Sequence, residues 1–232
     1  MKIIADGDSW NSYPLPFSGG GLADHLAVVL DIDIENYAHP GDSTEETMGL
    51  KKRLKLEQYL PNSDILLFSG GGDDFVGDQL PIFLNDNKDG NINKAIDLDR
   101  LDAAMDLAIA DYEDLFQLRD EIAPNCLIIT HSYDFPVPEM IGNGVLWLGP
   151  WIKPGMDHCG WTNPKDAADI TKLILLEFER RISLLSLPNH LHINFQGTLT
   201  TSDWGNEIHP NSSGWKKLAN QIKLKLVHYL NK

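Results

Sequence analysis

The sequence predicts an α/β protein: a three-layer α/β/α sandwich around a five-stranded parallel sheet of flavodoxin-like order. Short apolar runs alternate with segments of helical period, the pattern of βαβ units. Two of those runs, "DILLFS" and "CLIITHS", are apolar without alternation, which suits strands buried on both faces. The 232 residues contain no Pro/Gly/Ser-rich linker, low-complexity stretch or internal repeat, so one domain over 1–232 is expected.

The elements follow in order. "KIIA" (2–5) reads as the first strand, and residues 20–30 as a helix. "DIENYA" (33–38) reads as the second strand. Ser43-Thr44-Glu45-Glu46 has the form of a capping box, in which Ser43 and Glu46 satisfy each other's backbone N–H groups, and it opens a helix to about residue 59. Residues 64–69 form the third strand. From Asp97 to about Glu121, Leu98, Leu101, Met105, Ile109, Tyr112 and Phe116 recur at helical spacing. Residues 126–132 are the fourth strand, 166–185 a helix, 191–196 the fifth strand and 212–229 the last helix. In such sheets, sites lie beyond the carboxyl ends of the strands. Ser9, Gly41, Asp73 and the segment after Phe195 all follow strand ends, so the fold gathers them along one edge.

Composition narrows the function. Lys plus Arg number 19 against 34 Asp plus Glu, a net charge of −15, which argues against nucleic acid or an anionic membrane as partner. The same charge also serves solubility, and it suits a neutral or cationic substrate better than a polyanion. Cys126 reads as a buried strand thiol and Cys159 as a loop residue; two cysteines make neither a disulfide framework nor a zinc site. No apolar stretch is long enough for a signal peptide or a membrane span, so a cytoplasmic location is expected, with a processed secreted form as the alternative.

The chain opens "MKIIADGDSW". Ser9 stands where a strand gives way to the next segment, and two roles fit it: a helix N-cap, or a nucleophile. Nucleophilic catalysis needs a hydroxyl, a base within hydrogen-bond reach, a group that orients the base, and donors for the oxyanion. His209, in "DWGNEIHPNSSG" (203–214), lies between the last strand and the last helix, on the same edge as Ser9. Gly41 sits in a tight loop after strand two, where its N–H can approach a ligand without a Cβ in the way. "FSGGGDDF" (68–75) brings three glycines and two aspartates after strand three.

In this order the blocks resemble the SGNH hydrolase superfamily, the GDSL esterases and lipases. Gly7-Asp8-Ser9, Gly41, Gly71-Gly72-Asp73-Asp74 and Asn206-Glu207-Ile208-His209-Pro210 match the four family blocks from residue 7 to residue 210. The resemblance implies an acyl-ester hydrolase with Ser9 as nucleophile and His209 as base. It implies an oxyanion hole from the Ser9 and Gly41 amides and the side chain at 73, a small-molecule ester as substrate, and the SGNH fold.

Two positions depart from the family pattern. Asp73 stands where the family has the oxyanion Asn, and Asn206 where it has the triad Asp. An ionised carboxylate cannot donate a hydrogen bond, so Asp73 helps only as a neutral acid. Burial at the end of strand three beside Asp74 and Asp8 would hold the proton on; Asp73→Asn, which restores a permanent donor, is expected to increase kcat at neutral pH, with a gain that shrinks toward acid. Asn206 is the expected orienter, with Asp203 and Glu207 as alternative carboxylates. In a serine protease the Asp-to-Asn change costs about 10⁴ in kcat, whereas papain-like enzymes use an Asn orienter. A second function class therefore stays open: a degenerate relative that binds an acyl or carbohydrate ligand without turning it over.

The connection 132–163 is long enough to be functional. Its Trp147, Trp151, Trp161, Phe135 and Met140 read as the wall of an acyl pocket, a self-packed flap or an oligomer contact. Residues 85–96 imitate part of a calcium loop but lack the first-position Asp and the bidentate Glu, so a polar surface loop is expected. His131 and Asp134 read as loop polar groups or pocket liners. No zinc spacing, Walker loop or dinucleotide fingerprint is present, and no cofactor is expected.

Overall fold

The computed structural model describes residues 1–14, 18–145 and 148–231; Trp147, proposed above as part of a pocket wall, lies outside them. Strand β1 (Ile3–Gly7) leads to helix α1 (Leu22–Leu30) and β2 (Ile34–Asn36). Helices α2 (Thr44–Met48) and α3 (Leu50–Tyr59) precede β3 (Ile65–Ser69), and the short α4 (Gly72–Phe75) follows it. The long α5 (Leu98–Ile122), β4 (Leu127–His131), α6 (Lys153–His158), α7 (Pro164–Ser183), β5 (His190–Ile193) and α8 (Ser212–Leu230) complete the described chain. The sheet order is β2-β1-β3-β4-β5, all parallel. α1 packs on α8 over one face, while α2, α5 and α7 pack in series over the other. This is the expected three-layer sandwich.

Local differences have physical causes. The helix expected to run to residue 59 is broken at Gly49, whose extended ψ of 148° ends α2 and starts α3. Its capping box is present: Glu46 N–H donates to Ser43 Oγ at 3.1 Å, and Ser43 N–H to Glu46 Oε2 at 3.0 Å. β2 keeps only three residues because it is an edge strand paired on one side. Leu98 is exposed despite its helical spacing, because it occupies the first position after the Asp97 cap. The three strands inside the sheet are buried throughout, and Phe68, Tyr112, Phe116, Phe178 and Trp215 fill the space beneath the helices.

Arg119 was not anticipated as a structural group. It is fully buried in α5 and donates to the carbonyls of Cys126, Pro188 and Asn189, at 2.7, 2.7 and 3.0 Å. One guanidinium thus ties the starts of β4 and β5 together at the end of the sheet opposite the site, using a planar fork that Lys lacks.

Candidate active site

β1 ends at Gly7, which pairs with Ser69 of β3. A Cβ on Gly7 would lie 1.7 Å from the Ser69 carbonyl oxygen, and φ is +112°, so only glycine lets the strands approach this closely. The chain then turns sharply. Asp8 N–H donates to Ser69 O at 3.0 Å, and the Asp8 carboxylate accepts from Trp10 N–H at 2.9 Å, from Ser69 Oγ at 2.6 Å and from the Tyr133 hydroxyl. Those bonds fix the turn that presents Ser9. The chain continues after Ser9 as a turn, and no helix among the described residues begins there, so Ser9 does not serve as an N-cap.

The turn holding His209 comes from the other end of the chain. Ser9 Oγ and His209 Nε2 are 2.8 Å apart, and His209 Nδ1 lies 3.1 Å from Asn206 Oδ1. The tautomer follows from the surrounding donors. Asn206 Oδ1 also accepts the backbone N–H groups of Ile208 and His209, at 3.1 and 2.8 Å, so the side-chain oxygen must face the imidazole. His209 Nδ1 therefore carries the hydrogen, and Nε2 accepts the Ser9 O–H. All three side chains are buried. Burial pushes the His209 pKa down to about 3, leaving the ring neutral at neutral pH with the Nε2 lone pair free to accept.

Tyr13 completes this relay, and sequence reasoning missed it. Its hydroxyl accepts Asn206 Nδ2–H at 2.7 Å, and its ring stacks on His209. Four residues beyond a serine, a tyrosine carries no signal until the fold returns the 206–209 turn to it. Trp151 meets His209 edge to face, with centroids 5.0 Å apart.

The two alternative carboxylates serve elsewhere. Asp203 accepts from Lys217 Nζ at 2.6 Å and from Thr200. Glu207 points into the long connection, where its carboxylate accepts the backbone N–H groups of Gly142, Trp151, Ile152 and Lys153. Neither makes a hydrogen bond to His209.

Asp73 stands in the first turn of α4 and lines the cavity that also holds Ser9. Burial raises its pKa to about 8, with further contributions from Asp8, Asp74 and Glu46, so at neutral pH it is mainly a neutral acid able to donate O–H. The gain from Asp73→Asn expected at neutral pH therefore moves to alkaline pH. Asp74 does not face the cavity. It accepts from Thr44 N–H and Thr44 Oγ1, and burial raises it to about 6. Gly41 has a φ of +90°, which favours glycine, and lines a neighbouring groove together with Asp73.

The connection 132–163 divides among its suggested roles. Tyr133, Asp134, Pro136 and Ile152 line the Ser9 cavity, and Trp151 lines the groove. Trp161 turns away and donates its indole N–H to Asn85 O at 2.8 Å. His131 is buried between Trp10 and Phe195, and burial lowers its pKa to about 4. Cys159 ends α6 and is buried; Cys126 sits just before β4. In the 85–96 loop, Asp89 pairs with Lys94 at 2.7 Å and Asn87 with the Gly90 N–H at 2.8 Å. No group of acidic, His or Cys side chains suited to a metal occurs among the described residues, and no helix there is long and apolar enough to cross a membrane.

No family sequence model matches the chain, and no curated protein does. Solved structures match over nearly the whole length. The lipase Lip_vut3 from a goat rumen metagenome aligns with a TM-score of 0.64 at 13% identity, covering 97% of each chain. A protein of Slackia heliotrinireducens assigned to the SGNH hydrolases aligns at 0.57 and 14%, covering 97% of this chain and 98% of that one. A family 3 carbohydrate esterase of Clostridium thermocellum aligns at 0.53 and 15%, covering 100% and 97%. At this identity the likeness is one of architecture: the chain has the fold of the SGNH hydrolases.

Proposed function

We propose that the protein is a serine ester hydrolase. The observation that supports this most is the unbroken relay from Ser9 through His209 to Asn206, with 2.8 and 3.1 Å contacts. Ser9 Oγ attacks the ester carbonyl while His209 Nε2 takes its proton. The oxyanion is stabilised by the Ser9 and Gly41 amides and by Asp73 in its protonated form. His209 returns the proton to the departing alcohol, and water, deprotonated by the same nitrogen, releases the acid. Asn206 holds the imidazole in the required tautomer but lends no charge to the imidazolium.

A fluorophosphonate probe should label Ser9, and Ser9→Ala should abolish both labelling and turnover of p-nitrophenyl esters. A folded protein that is neither labelled nor active would overturn the reading. The absence of a carboxylate beside His209 favours one second reading, a binding protein that keeps the pocket without the chemistry. Ligand binding with no turnover across a broad ester panel would support it.

A further inference from the structure

Two spaces of different width meet at the candidate site. The first is a narrow cavity of about 50 Å³ between the Ser9 turn and α7. Thr171, Ile174 and Leu175 stand at i, i+3 and i+4, so one face of α7 forms a wall, and Phe75, Pro136 and Ile152 contribute to the others. Three polar residues of this lining, Asp8, Asp134 and Thr171, are already committed. Asp8 is held by Ser69, Tyr133 and Trp10. Asp134 accepts the backbone N–H groups of Phe135, Gly197 and Leu199, and Thr171 Oγ1 donates to Ala167 O at 2.8 Å. Beyond the reacting carbonyl at Ser9 and Asp73, a polar guest would find few partners, the indole N–H of Trp204 among them, to replace its lost water. A hydrocarbon guest gains from burial, about 0.8 kcal/mol per CH₂.

The second space is a wide groove of mixed character, lined by Ser43, Glu45 and Glu46 on the polar side and by Ile82, Leu107 and Trp151 on the apolar side. Asp73 and Val76 border both spaces. An ester whose carbonyl sits at Ser9 therefore has one narrow, apolar direction and one wide direction of mixed polarity to extend in. Size then limits the chain, since a cavity of about 50 Å³ is far smaller than the roughly 150 Å³ that holds a benzene-sized guest. It admits a chain of only a few carbons.

Resting on the hydrolase reading, we infer that this cavity is an acyl site for short unbranched chains, acetyl to butyryl, with the alcohol lying in the groove. The balanced reaction is ester plus water giving a short carboxylic acid and the alcohol, by way of an acyl group on Ser9 Oγ.

The test is kcat/KM for p-nitrophenyl acetate, butyrate, hexanoate, octanoate and decanoate. The expected profile peaks at or below butyrate and falls at least tenfold by octanoate. Ile174→Ala enlarges the cavity and moves the peak toward hexanoate. Val76→Ala, at a half-buried position, does the same with less demand on folding. A wild-type profile that is flat or rises to octanoate overturns the inference, as does a profile unmoved by both variants. If no ester is turned over and Ser9 is unlabelled, the hydrolase reading fails separately. The cavity is then read with neutral alkanamides: butyramide raises the melting temperature and octanamide does not, and equal or reversed shifts overturn the inference.

Discussion

The ring of Tyr13 lies over the imidazole of His209, with centroids 4.1 Å apart and planes inclined by 29°, while its hydroxyl accepts the amide N–H of Asn206 at 2.7 Å. One residue thus touches both the base and the group that orients it. The hydroxyl helps fix the Asn206 amide, and the π face is placed to stabilise the imidazolium formed during attack, an interaction worth about 2 kcal/mol when desolvated. Tyr13→Phe leaves a buried amide N–H unpaired, at a cost of about 1–3 kcal/mol, and should lower kcat about tenfold with little change in KM. Tyr13→Leu removes the π face as well and should lower kcat by about 10², shifting the acid limb of the kcat–pH profile to lower pH. Equal activity of Leu and wild type would remove the positioning role.

Asn206→Asp restores the charge the relay lacks. The new carboxylate keeps the contacts to His209 and can accept from the Tyr13 hydroxyl. Its charge opposes the burial that holds the His209 pKa near 3. The expectation is a gain in kcat of at least tenfold, within the roughly 10⁴ attached to this exchange elsewhere, and an acid limb at higher pH. An unchanged kcat would mean that proton transfer at His209 does not limit turnover.

Asp73 predicts an alkaline limb. With its pKa near 8, the O–H donor is lost as pH rises through that value, and the anion left behind opposes the oxyanion. Wild-type kcat should fall above pH 8, whereas Asp73→Asn, whose amide does not titrate, should stay level. The ratio of variant to wild type should be near one at pH 6 and exceed ten at pH 9.5. A ratio independent of pH would place Asp73 outside the oxyanion hole.

The same carboxyl shapes stability in a known direction. Its folded pKa lies above the unfolded 3.8, so its contribution is fully present below about pH 4 and is lost as pH rises to about 8. His209 and His131 act with the opposite sign. Their folded pKa values lie below 6.5, so stability is lost as pH falls from there toward 4. The difference in melting temperature between Asp73→Asn and wild type isolates the aspartate: it should widen in favour of the variant from pH 4 to pH 8 and then stay constant. A difference that does not change with pH would contradict the raised pKa.

Legibility in the sequence followed the range of the interactions. The buried parallel strands and the Ser43–Glu46 box depend on neighbours in the chain or on one-dimensional pattern, and they could be read. The contacts of Tyr13 with residues 206 and 209, the committed partners of Asp203 and Glu207, and the Arg119 clamp depend on which distant backbone comes near, which no local pattern encodes. Asp73 lay between these cases. Its identity raised the question of protonation, but the answer needed its burial and its three acidic neighbours.

Glu207 fastens the long connection to the turn that carries the base. Its buried carboxylate is held by four backbone N–H groups of residues 142–153, and its own N–H donates to Asn143 O at 3.1 Å, two residues before the base His209. Swinging residues 142–153 aside would break several charge-assisted bonds and drag the base with them. Among the described residues, this segment is therefore fastened to the site and is not a freely hinged cover. Catalysis should show no interfacial activation: the rate on tributyrin should follow one smooth saturation curve through the solubility limit. A jump in rate where droplets appear would mean that the strap opens after all.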